Sequence, residues 1–154
     1  MKNKISLSEI IPVFNEEKTI LKILQKIHIL KDYADIEIII INDGSTDDTL
    51  MILENNTELY TKLISLSKNN GKGKAVIEGI KSANFEYIAF QDADLEYDPF
   101  DLKMFLTKIK EYDADLVLGS RFIGNQRSVL NFWHMVGNKF ITILFNILNN
   151  TTFS

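Results

Sequence analysis

The sequence predicts an α/β protein, a Rossmann-like three-layer α/β/α sandwich around a mostly parallel central sheet. Apolar runs of strand length alternate with amphipathic segments of helix length, the pattern of repeated βαβ units. One run, IEIIII at 36–41, is isoleucine at every position but one and suits a strand buried on both faces. The chain has 154 residues, 45% of them apolar, which is enough for one globular domain with a full core.

The individual elements follow from periodicity and from turn residues. Pro12 is predicted to end the first strand, and Asn15 to cap the first helix. Ser45 and Asp48 have the spacing of a capping box that opens the second helix. The pattern predicts strands at 5–11, 36–41, 62–67, 87–90 and 114–120, and further helices at 19–30, 75–83, 99–112 and 129–148.

Charge and cysteine content exclude several classes of function. The net charge of −4 gives no overall attraction to nucleic acid, so we expect no nucleic-acid partner. The absence of cysteine excludes disulfide frameworks and thiol catalysis. The N-terminus turns acidic before any apolar run of signal-peptide length and is interpreted as mature sequence. The apolar stretch FITILFNIL is shorter than the roughly 18 residues of a membrane span, although it could lie on a membrane.

Three polar turns follow predicted strands: PVFNEE after the first, NDGSTDD after the second and QDADLE after the fourth. Each turn alone has an ordinary structural explanation, because Asn15, Glu16 and Glu17 could cap a helix and Asp43 with Gly44 could form a tight turn. The carboxyl ends of parallel strands, however, meet at one edge of the sheet, where ligands bind. The coincidence of three such turns therefore predicts a site at that edge.

Two stretches of the sequence indicate a cation and a phosphate group, the acidic turn after the fourth strand and the loop after the third. Asp92, Asp94, Glu96 and Asp98 alternate without a basic residue between them, so in an extended segment they would crowd one face. Water on an exposed edge or a divalent cation with oxygen ligands would offset that repulsion. The loop NNGKGK lacks the spacing of a Walker loop and of a dinucleotide fingerprint, but it could present backbone N–H groups and Lys72 or Lys74 to a diphosphate.

Five motifs occur together in a recognisable order. IPVFNEEKTI, INDGSTDDT, NNGKGKAVIEGI, FQDADLEYDP and LGSRF resemble the motifs of family 2 glycosyltransferases with the GT-A fold. The resemblance is greatest to the polyprenyl-phosphate group, which includes dolichyl-phosphate mannose synthase. It extends from about Ile5 to the end of the chain, and the segment from Arg127 onward resembles the one that follows the catalytic strand in that group.

The resemblance implies a role for each matching residue. The nucleotide pocket would be formed by Pro12, Phe14, Asn15 and Glu16, with Asp43 at the base or ribose and Lys74 among the donor-binding residues. In the Asp-x-Asp motif, Asp94 would hold the metal and act in catalysis, while Asp92 would orient the ribose or a metal-bound water. Glu96 would share the metal, at a position that is often Gln in the group. Arg121 would contact phosphate on the acceptor side as a second catalytic residue, and Arg127 is a looser match.

The implied reaction is the inverting transfer of a mannose- or glucose-type sugar from a GDP- or UDP-linked donor to polyprenyl phosphate. It would use Mg²⁺ or Mn²⁺ and take place at the cytoplasmic face of a membrane, with peripheral membrane contact. Residues 1–125 would form the donor-binding GT-A core, and residues 126–154 would begin an acceptor-side amphipathic helical segment of the same domain. The family pattern continues into an acidic acceptor-side motif, so the 154-residue chain is expected to bind donor but transfer sugar poorly.

The chemistry agrees with this reading. Cleavage of a sugar–diphosphate bond leaves charge on the diphosphate, which a cation at Asp94 would stabilise. A lipid phosphate is already anionic, so it needs positioning by an arginine more than it needs a general base. Two alternatives stay open, a family 2 glycosyltransferase with a glycan acceptor and a magnesium-dependent phosphotransferase built on DADLE. Phosphotransferases of that kind normally carry such a motif after the first strand, with Thr following the second Asp. In this chain the motif follows the fourth predicted strand, and Leu95 follows the second Asp.

Overall fold

A computed structural model of the chain describes residues 4–119, 142–144 and 146–148. The chain divides into two compact units, Met1–Val117 and Leu118–Ser154. The first unit contains strands β1 (Ser6–Val13), β2 (Asp35–Asn42), β3 (Lys62–Ser65) and β4 (Tyr87–Phe90), helices α1 (Ile20–Leu30), α2 (Thr49–Glu54), α3 (Lys72–Ser82) and α4 (Leu102–Tyr112), and 3-10 turns at Thr57–Leu59 and Pro99–Asp101.

The four strands form one parallel sheet in the order β3-β2-β1-β4. Strands β1 and β2 pair along their whole length, from Ser6 with Asp35 to Val13 with Asn42. Every residue of β2 after Asp35 is buried, as predicted for IEIIII. The predicted α/β class with a parallel central sheet is therefore confirmed.

Helices cover both faces of the sheet. One face packs against α1, α2 and α4 through Leu7, Ile11, Val13, Ile36, Ile38 and Ile40. The other face presents Ile10, Ile39 and Ile41 to Ala75 of α3. These contacts follow from the period of two along each strand. The result is the predicted sandwich of three layers.

The closest approach between α3 and the sheet occurs at Gly79. A Cβ atom added to Gly79 would overlap the Cγ2 atom of Ile10 in β1. Glycine at this position therefore lets the helix backbone lie directly on the strand. This contact fixes the depth at which α3 sits on the sheet.

The first strand runs through Pro12, which the sequence analysis placed at its end. In a parallel strand, alternate residues direct their backbone groups to the same neighbour. The carbonyl of Ile10 accepts from Gln91 on the β4 side at 3.1 Å, so Pro12 also faces β4. Pairing between β1 and β4 stops at Ile10 with Phe90. The missing N–H of Pro12 thus ends the pairing with β4 without interrupting β1 itself.

The predicted fifth strand at 114–120 is wrong within the residues that the structure describes. Residues 114–119 form no strand, and Leu116 is 73% exposed. A short apolar run such as LVL at 116–118 needs both a pairing neighbour and a sheet face to bury it. Neither is provided for this segment in the described part of the chain. The preceding helix α4 ends at Tyr112 and is capped by Asp113, which has a φ of 50°.

The predicted helix at 129–148 is described only in part. Residues 142–144 and 146–148 are helical, and Ile143, Leu144, Ile147 and Leu148 are exposed. The rest of that helix and the predicted boundary between 125 and 126 lie outside the described residues. No helix in the described part of the chain has the length and apolar character needed to cross a membrane.

Two glutamates buried in the central strands have opposite environments. Glu37 accepts hydrogen bonds from Ser8, from both nitrogens of Asn84 and from the Phe85 amide. Burial alone would raise the pKa of Glu37, but these hydrogen bonds outweigh it and lower that pKa. Glu9 is 1% exposed, and its Oε2 has no hydrogen-bond partner within the described structure. Burial raises the pKa of Glu9 from 4.5 to about 8.

Glu9 should therefore make the stability of the fold depend on pH. Because its folded pKa lies above its unfolded pKa, its contribution is fully present below pH 4.5 and is lost as pH rises to about 8. We expect the unfolding free energy of the wild type, relative to Glu9→Gln, to fall by about 4–5 kcal/mol across that range. Urea unfolding at several pH values would measure the difference. Glu58→Gln changes an exposed glutamate and should show no such trend; a Glu9→Gln difference that is constant with pH would contradict the prediction.

Candidate functional site

A cleft of about 290 Å³ opens at the carboxyl ends of β1, β2 and β4. Its lining residues are Pro12, Val13, Phe14, Glu16, Asp43, Asn69, Gly71, Lys72, Ala75, Asp92, Ala93 and Asp94. Most of the predicted donor-binding residues are thus brought together. A larger cleft of about 480 Å³ is lined by residues that begin β1 and β2 and contains none of the predicted site residues.

Asn15 links two turns of the site and does not cap α1. It has a φ of 56°, and its Oδ1 accepts from the Thr46 amide at 2.8 Å. Its own amide donates to Ser45 Oγ at 3.1 Å. α1 begins only at Ile20, after a turn closed by backbone hydrogen bonds to the Glu16 carbonyl. Asn15 therefore holds the turn after β1 against the turn after β2, beside the cleft.

The predicted capping box at the start of α2 is also wrong. Ser45 Oγ is engaged by the Asn15 amide, and Asp48 makes no side-chain cap. Asp47 takes that place, because its Oδ1 accepts from the Thr49 amide at 3.0 Å and its Oδ2 from the Glu17 amide at 3.2 Å. Ser45 and Asp47, which are residue types that commonly cap helices, here also connect the turn after β2 to the turn after β1.

Asp43 organises the loop that leads into α3. Its side chain is almost fully buried, with Oδ1 accepting from the Asn70 amide at 2.9 Å and Oδ2 from the Gly71 amide at 2.8 Å. The next residue, Gly44, has a φ of 69°, and a Cβ there would lie 2.5 Å from the carbonyl carbon of Lys68. Only glycine allows the two loops to lie so close. Asp43 lines the cleft as predicted, and its carboxylate also fixes the cleft wall.

Helix α3 starts three residues before the predicted position, at Lys72. Its N-cap is Gly71, with a φ of 88°. The early start places Lys72 in the cleft, where its Nζ pairs with Oδ1 of Asp92. Lys74, predicted as a donor-binding residue, lies outside the lining and pairs with Glu78 at 2.8 Å. Of the two lysines that the loop offers, Lys72 is the one that faces the site.

The acidic loop after β4 is not extended. Leu95 has a φ of 66°, which turns the chain, and Oδ1 of Asp94 accepts from the Glu96 amide at 3.0 Å. Asp98 accepts from the Phe100 amide at 3.2 Å and pairs with Lys26 at 3.1 Å. Burial would raise the pKa of Asp98, but these partners outweigh it and lower that pKa. The expected single face of four carboxylates is therefore absent, with Asp92 and Asp94 in the cleft and Asp98 at a helix start.

Gln91 supports the acidic loop and was not singled out by sequence analysis. It is buried, and its Nε2 donates to the carbonyls of Asp92 at 3.0 Å and Tyr97 at 3.3 Å. These hydrogen bonds join the two ends of the loop. The sequence feature that could have identified Gln91 is its position directly after a strand and before Asp92 and Asp94.

The described residues provide two carboxylates for a cation, and no three His, Cys, Asp or Glu side chains among them converge as a metal site. Asp92 and Asp94 line the cleft, whereas Glu96 is exposed outside the lining. Carboxylate oxygens suit Mg²⁺ or Mn²⁺, which commonly complete their coordination with water and substrate phosphates. This pair therefore fits a cation bound together with a phosphorylated ligand. Arg121 and Arg127 lie outside the described residues.

The sequence matches the profile of Glycosyl transferase family 2 over residues 8–153. An uncharacterised protein of Methanocaldococcus jannaschii, MJ0544, is 33% identical over 89% of this chain and 62% of its own length. Poly-β-1,6-N-acetyl-D-glucosamine synthase of Staphylococcus aureus is 37% identical over 76% of this chain, which spans 29% of that protein. Glycosyltransferase GlyA of Streptococcus pneumoniae is 29% identical over 87% of this chain and 19% of its own length. The chain thus spans less than two thirds of each of these relatives.

Solved structures show the same fold. The S. aureus TarS 1-349 complex with UDP-GlcNAc has a TM-score of 0.64 and 27% identity, covering 78% of this chain and 39% of TarS 1-349. Glucosyl-3-phosphoglycerate synthase of Mycobacterium tuberculosis, solved with Mn²⁺ and UDP, has a TM-score of 0.57 and 25% identity, covering 68% of this chain and 39% of that one. A mannosyltransferase of Pyrobaculum calidifontis with GDP-Man and Mn²⁺ is 23% identical, covers 75% of this chain and 34% of its own, and shows the fold alone, with a TM-score of 0.61.

Asp43→Asn should loosen the wall of the cleft. The amide nitrogen that replaces one oxygen can no longer accept from Asn70 or Gly71, which leaves a buried donor unpaired. We expect a loss of about 1–3 kcal/mol in unfolding free energy. Hydrogen exchange at the Asn70 and Gly71 amides should also accelerate. The control is Asp48→Asn, the same change on an exposed side chain, and equal exchange rates in both variants would show that Asp43 does not hold this loop.

Proposed function

The chain belongs to glycosyltransferase family 2, and on that basis we propose that it transfers a hexose from a nucleotide-diphosphate sugar to a polyprenyl phosphate. The observation that carries the proposal is the cleft, where Phe14, Asp43, Lys72, Asp92 and Asp94 meet at the carboxyl edge of the sheet. It combines an aromatic side chain, a cation and paired carboxylates. A nucleoside diphosphate with a divalent cation requires groups of these kinds.

The donor would bind along the cleft. Phe14 is 41% exposed and provides an apolar surface for the base or ribose. Lys72 and the N-terminal end of α3 provide positive charge for the diphosphate. TarS, a structural relative at 27% identity, was solved with UDP-GlcNAc, and this supports a nucleotide sugar as the donor class.

Asp94 and Asp92 would hold Mg²⁺ or Mn²⁺ together with diphosphate oxygens. A bound cation supplies electrostatic stabilisation to the diphosphate as it leaves the sugar. Asp94 is an exposed residue of the cleft lining, and the left-handed turn at Leu95 directly follows it. The buried Gln91 keeps the loop in place, so the carboxylates are oriented before the donor binds. Glucosyl-3-phosphoglycerate synthase, at 25% identity, was solved with Mn²⁺ and UDP.

The proposed acceptor is a polyprenyl phosphate at the cytoplasmic face of a membrane. The proposal assigns its phosphate to Arg121, which follows the segment LVLGS and offers a planar, bidentate cation. The exposed Ile143, Leu144, Ile147 and Leu148 support peripheral contact with lipid. In this assignment residues 1–125 bind the donor and residues 126–154 begin the acceptor side.

A glycan acceptor is the second candidate. The observation that favours it is the 37% identity to poly-β-1,6-N-acetyl-D-glucosamine synthase over 123 residues. Both candidates use the same donor site and the same metal. They differ only in the nucleophile, an anionic phosphate oxygen or a sugar hydroxyl, and the hydroxyl needs a general base.

Asp94→Asn should abolish the strengthening of nucleotide binding by metal. The neutral amide is a weaker cation ligand, so UDP and GDP should bind equally with and without Mn²⁺. Isothermal titration of both nucleotides would measure the ratio of affinities. Asp101→Asn, an exposed aspartate outside the cleft, should leave that ratio unchanged. A ratio in Asp94→Asn equal to that of the wild type would remove Asp94 from the metal site.

Arg121→Ala tests the acceptor assignment in the full-length protein. With its positive charge removed, transfer to polyprenyl phosphate should fall by on the order of a hundredfold or more, while nucleotide affinity changes little. The assay measures sugar transfer from UDP- and GDP-sugars to two acceptors, polyprenyl phosphate and a β-1,6-linked N-acetylglucosamine oligomer. Turnover with the oligomer alone would favour the glycan acceptor, and an equal loss of transfer and nucleotide binding would move Arg121 to the donor side.

A further inference from the structure

Lys72 and Asp92 form an ion pair inside the cleft, with Nζ bound to Oδ1. The Lys72 side chain is 64% exposed and that of Asp92 is 26% exposed, so the lysine can swing away while the aspartate stays in place. The backbone at the start of α3 is fixed by the hydrogen bonds of Asn70 and Gly71 to Asp43. The ammonium group therefore has room to leave Asp92 while the backbone of Lys72 stays in place.

The charges of the cleft are unbalanced around this pair. Among the lining residues that the structure describes, Lys72 is the one cation, and it shares the cleft with four carboxylates, those of Glu16, Asp43, Asp92 and Asp94. A diphosphate alone would be repelled by the carboxylates. A divalent cation alone would be attracted by them, but it would have to lie beside the ammonium group that occupies Asp92.

We propose that the Lys72–Asp92 ion pair keeps divalent cations off Asp92 until a diphosphate enters, when the Lys72 ammonium moves to a phosphate oxygen. This inference rests on the proposed binding of a nucleotide sugar in the cleft. The exchange replaces one charge-assisted contact of Lys72 by another and leaves Asp92 to the metal. Metal and donor then bind with positive coupling, each strengthening the other by the same factor. Lys72 contacts the donor phosphate directly in this scheme.

Lys72→Met separates the two effects. Without the ammonium group, Mn²⁺ alone should bind about tenfold more tightly, because Asp92 is no longer paired. The same variant should bind UDP or GDP with Mn²⁺ about tenfold more weakly, because a phosphate contact is lost. Lys72→Arg keeps the charge and should retain weak binding of Mn²⁺ alone. Lys81→Met is the matched control on the same helix, since Lys81 pairs with Glu78 at 3.0 Å and lies outside the cleft.

The first measurement is the affinity for Mn²⁺ without nucleotide, obtained by titration with the free ion monitored by electron paramagnetic resonance. The second is the affinity for UDP and GDP at saturating Mn²⁺, obtained by calorimetry. Thermal unfolding checks that each variant is folded. Weaker nucleotide binding with unchanged Mn²⁺ affinity in Lys72→Met would overturn the proposal, because Lys72 would then be only a phosphate ligand. Tighter Mn²⁺ binding with unchanged nucleotide affinity would also overturn it, because the ammonium would not move. If the wild type binds neither nucleotide, the proposed function fails, whereas the Mn²⁺ titrations still decide whether the ion pair excludes the cation.

Discussion

Both carboxylate oxygens of Asp43 are occupied by backbone amides of the loop before α3, and the position of the cleft wall depends on these two hydrogen bonds. Asp43 stands directly after the central strand β2, whose register with β1 is fixed over eight residues. The carboxylate therefore transmits the geometry of the sheet to a loop that has no regular structure of its own. Gly44 makes this possible by allowing the loop to approach. The position of Lys72 at the start of α3 is therefore determined by the central strands, through Asp43.

The electrostatic design of the cleft follows from its place in the sheet. Parallel strands deliver their carboxyl ends to one edge, and each turn there brings its own polar side chains. Some of these side chains are consumed in holding turns together, as Asn15 and Asp47 show. Others, such as Asp92 and Asp94, line the cleft, where Asp92 pairs with Lys72. The same residue types thus hold the turns together and line the cleft.

Elements dominated by local pattern were predictable from the sequence. The strand β4 was placed at 87–90 and β2 within one residue, because isoleucine-rich and aromatic runs leave few other choices. The Asn15 cap of α1 was wrong and the start of α3 was misplaced because both depend on contacts distant in sequence, such as Asn15 with Thr46 and Gly71 with Asp43. The strand predicted at 114–120 had an apolar run of strand length, but pairing needs a neighbour that the run alone cannot supply. The part of the site after Gly119 lies outside the described residues.

The cleft residues themselves were predictable to the level of the motif. Motif spacing identified Asp92, Asp94 and Phe14, but it could not distinguish Lys72 from Lys74, because that distinction depends on where the helix begins. The predicted helix at 99–112 already placed Asp98 at a helix start, but spacing could not reveal the left-handed turn at Leu95, which has no glycine to indicate it. Side-chain roles within a motif depend on backbone angles that composition does not encode.

The contact between Gly79 and Ile10 has a consequence for how this chain varies among its relatives. Gly79 lies seven residues after Lys72, about 10 Å along the helix axis, and it sets how deeply α3 rests on β1. An alanine at 79 would lift the helix unless residue 10 became smaller, and the lifted helix would carry Lys72 with it. Positions 79 and 10 should therefore co-vary among relatives, a larger residue at one accompanying a smaller residue at the other. Selection would then act on this pair of core residues because they determine the position of the Lys72 ammonium group.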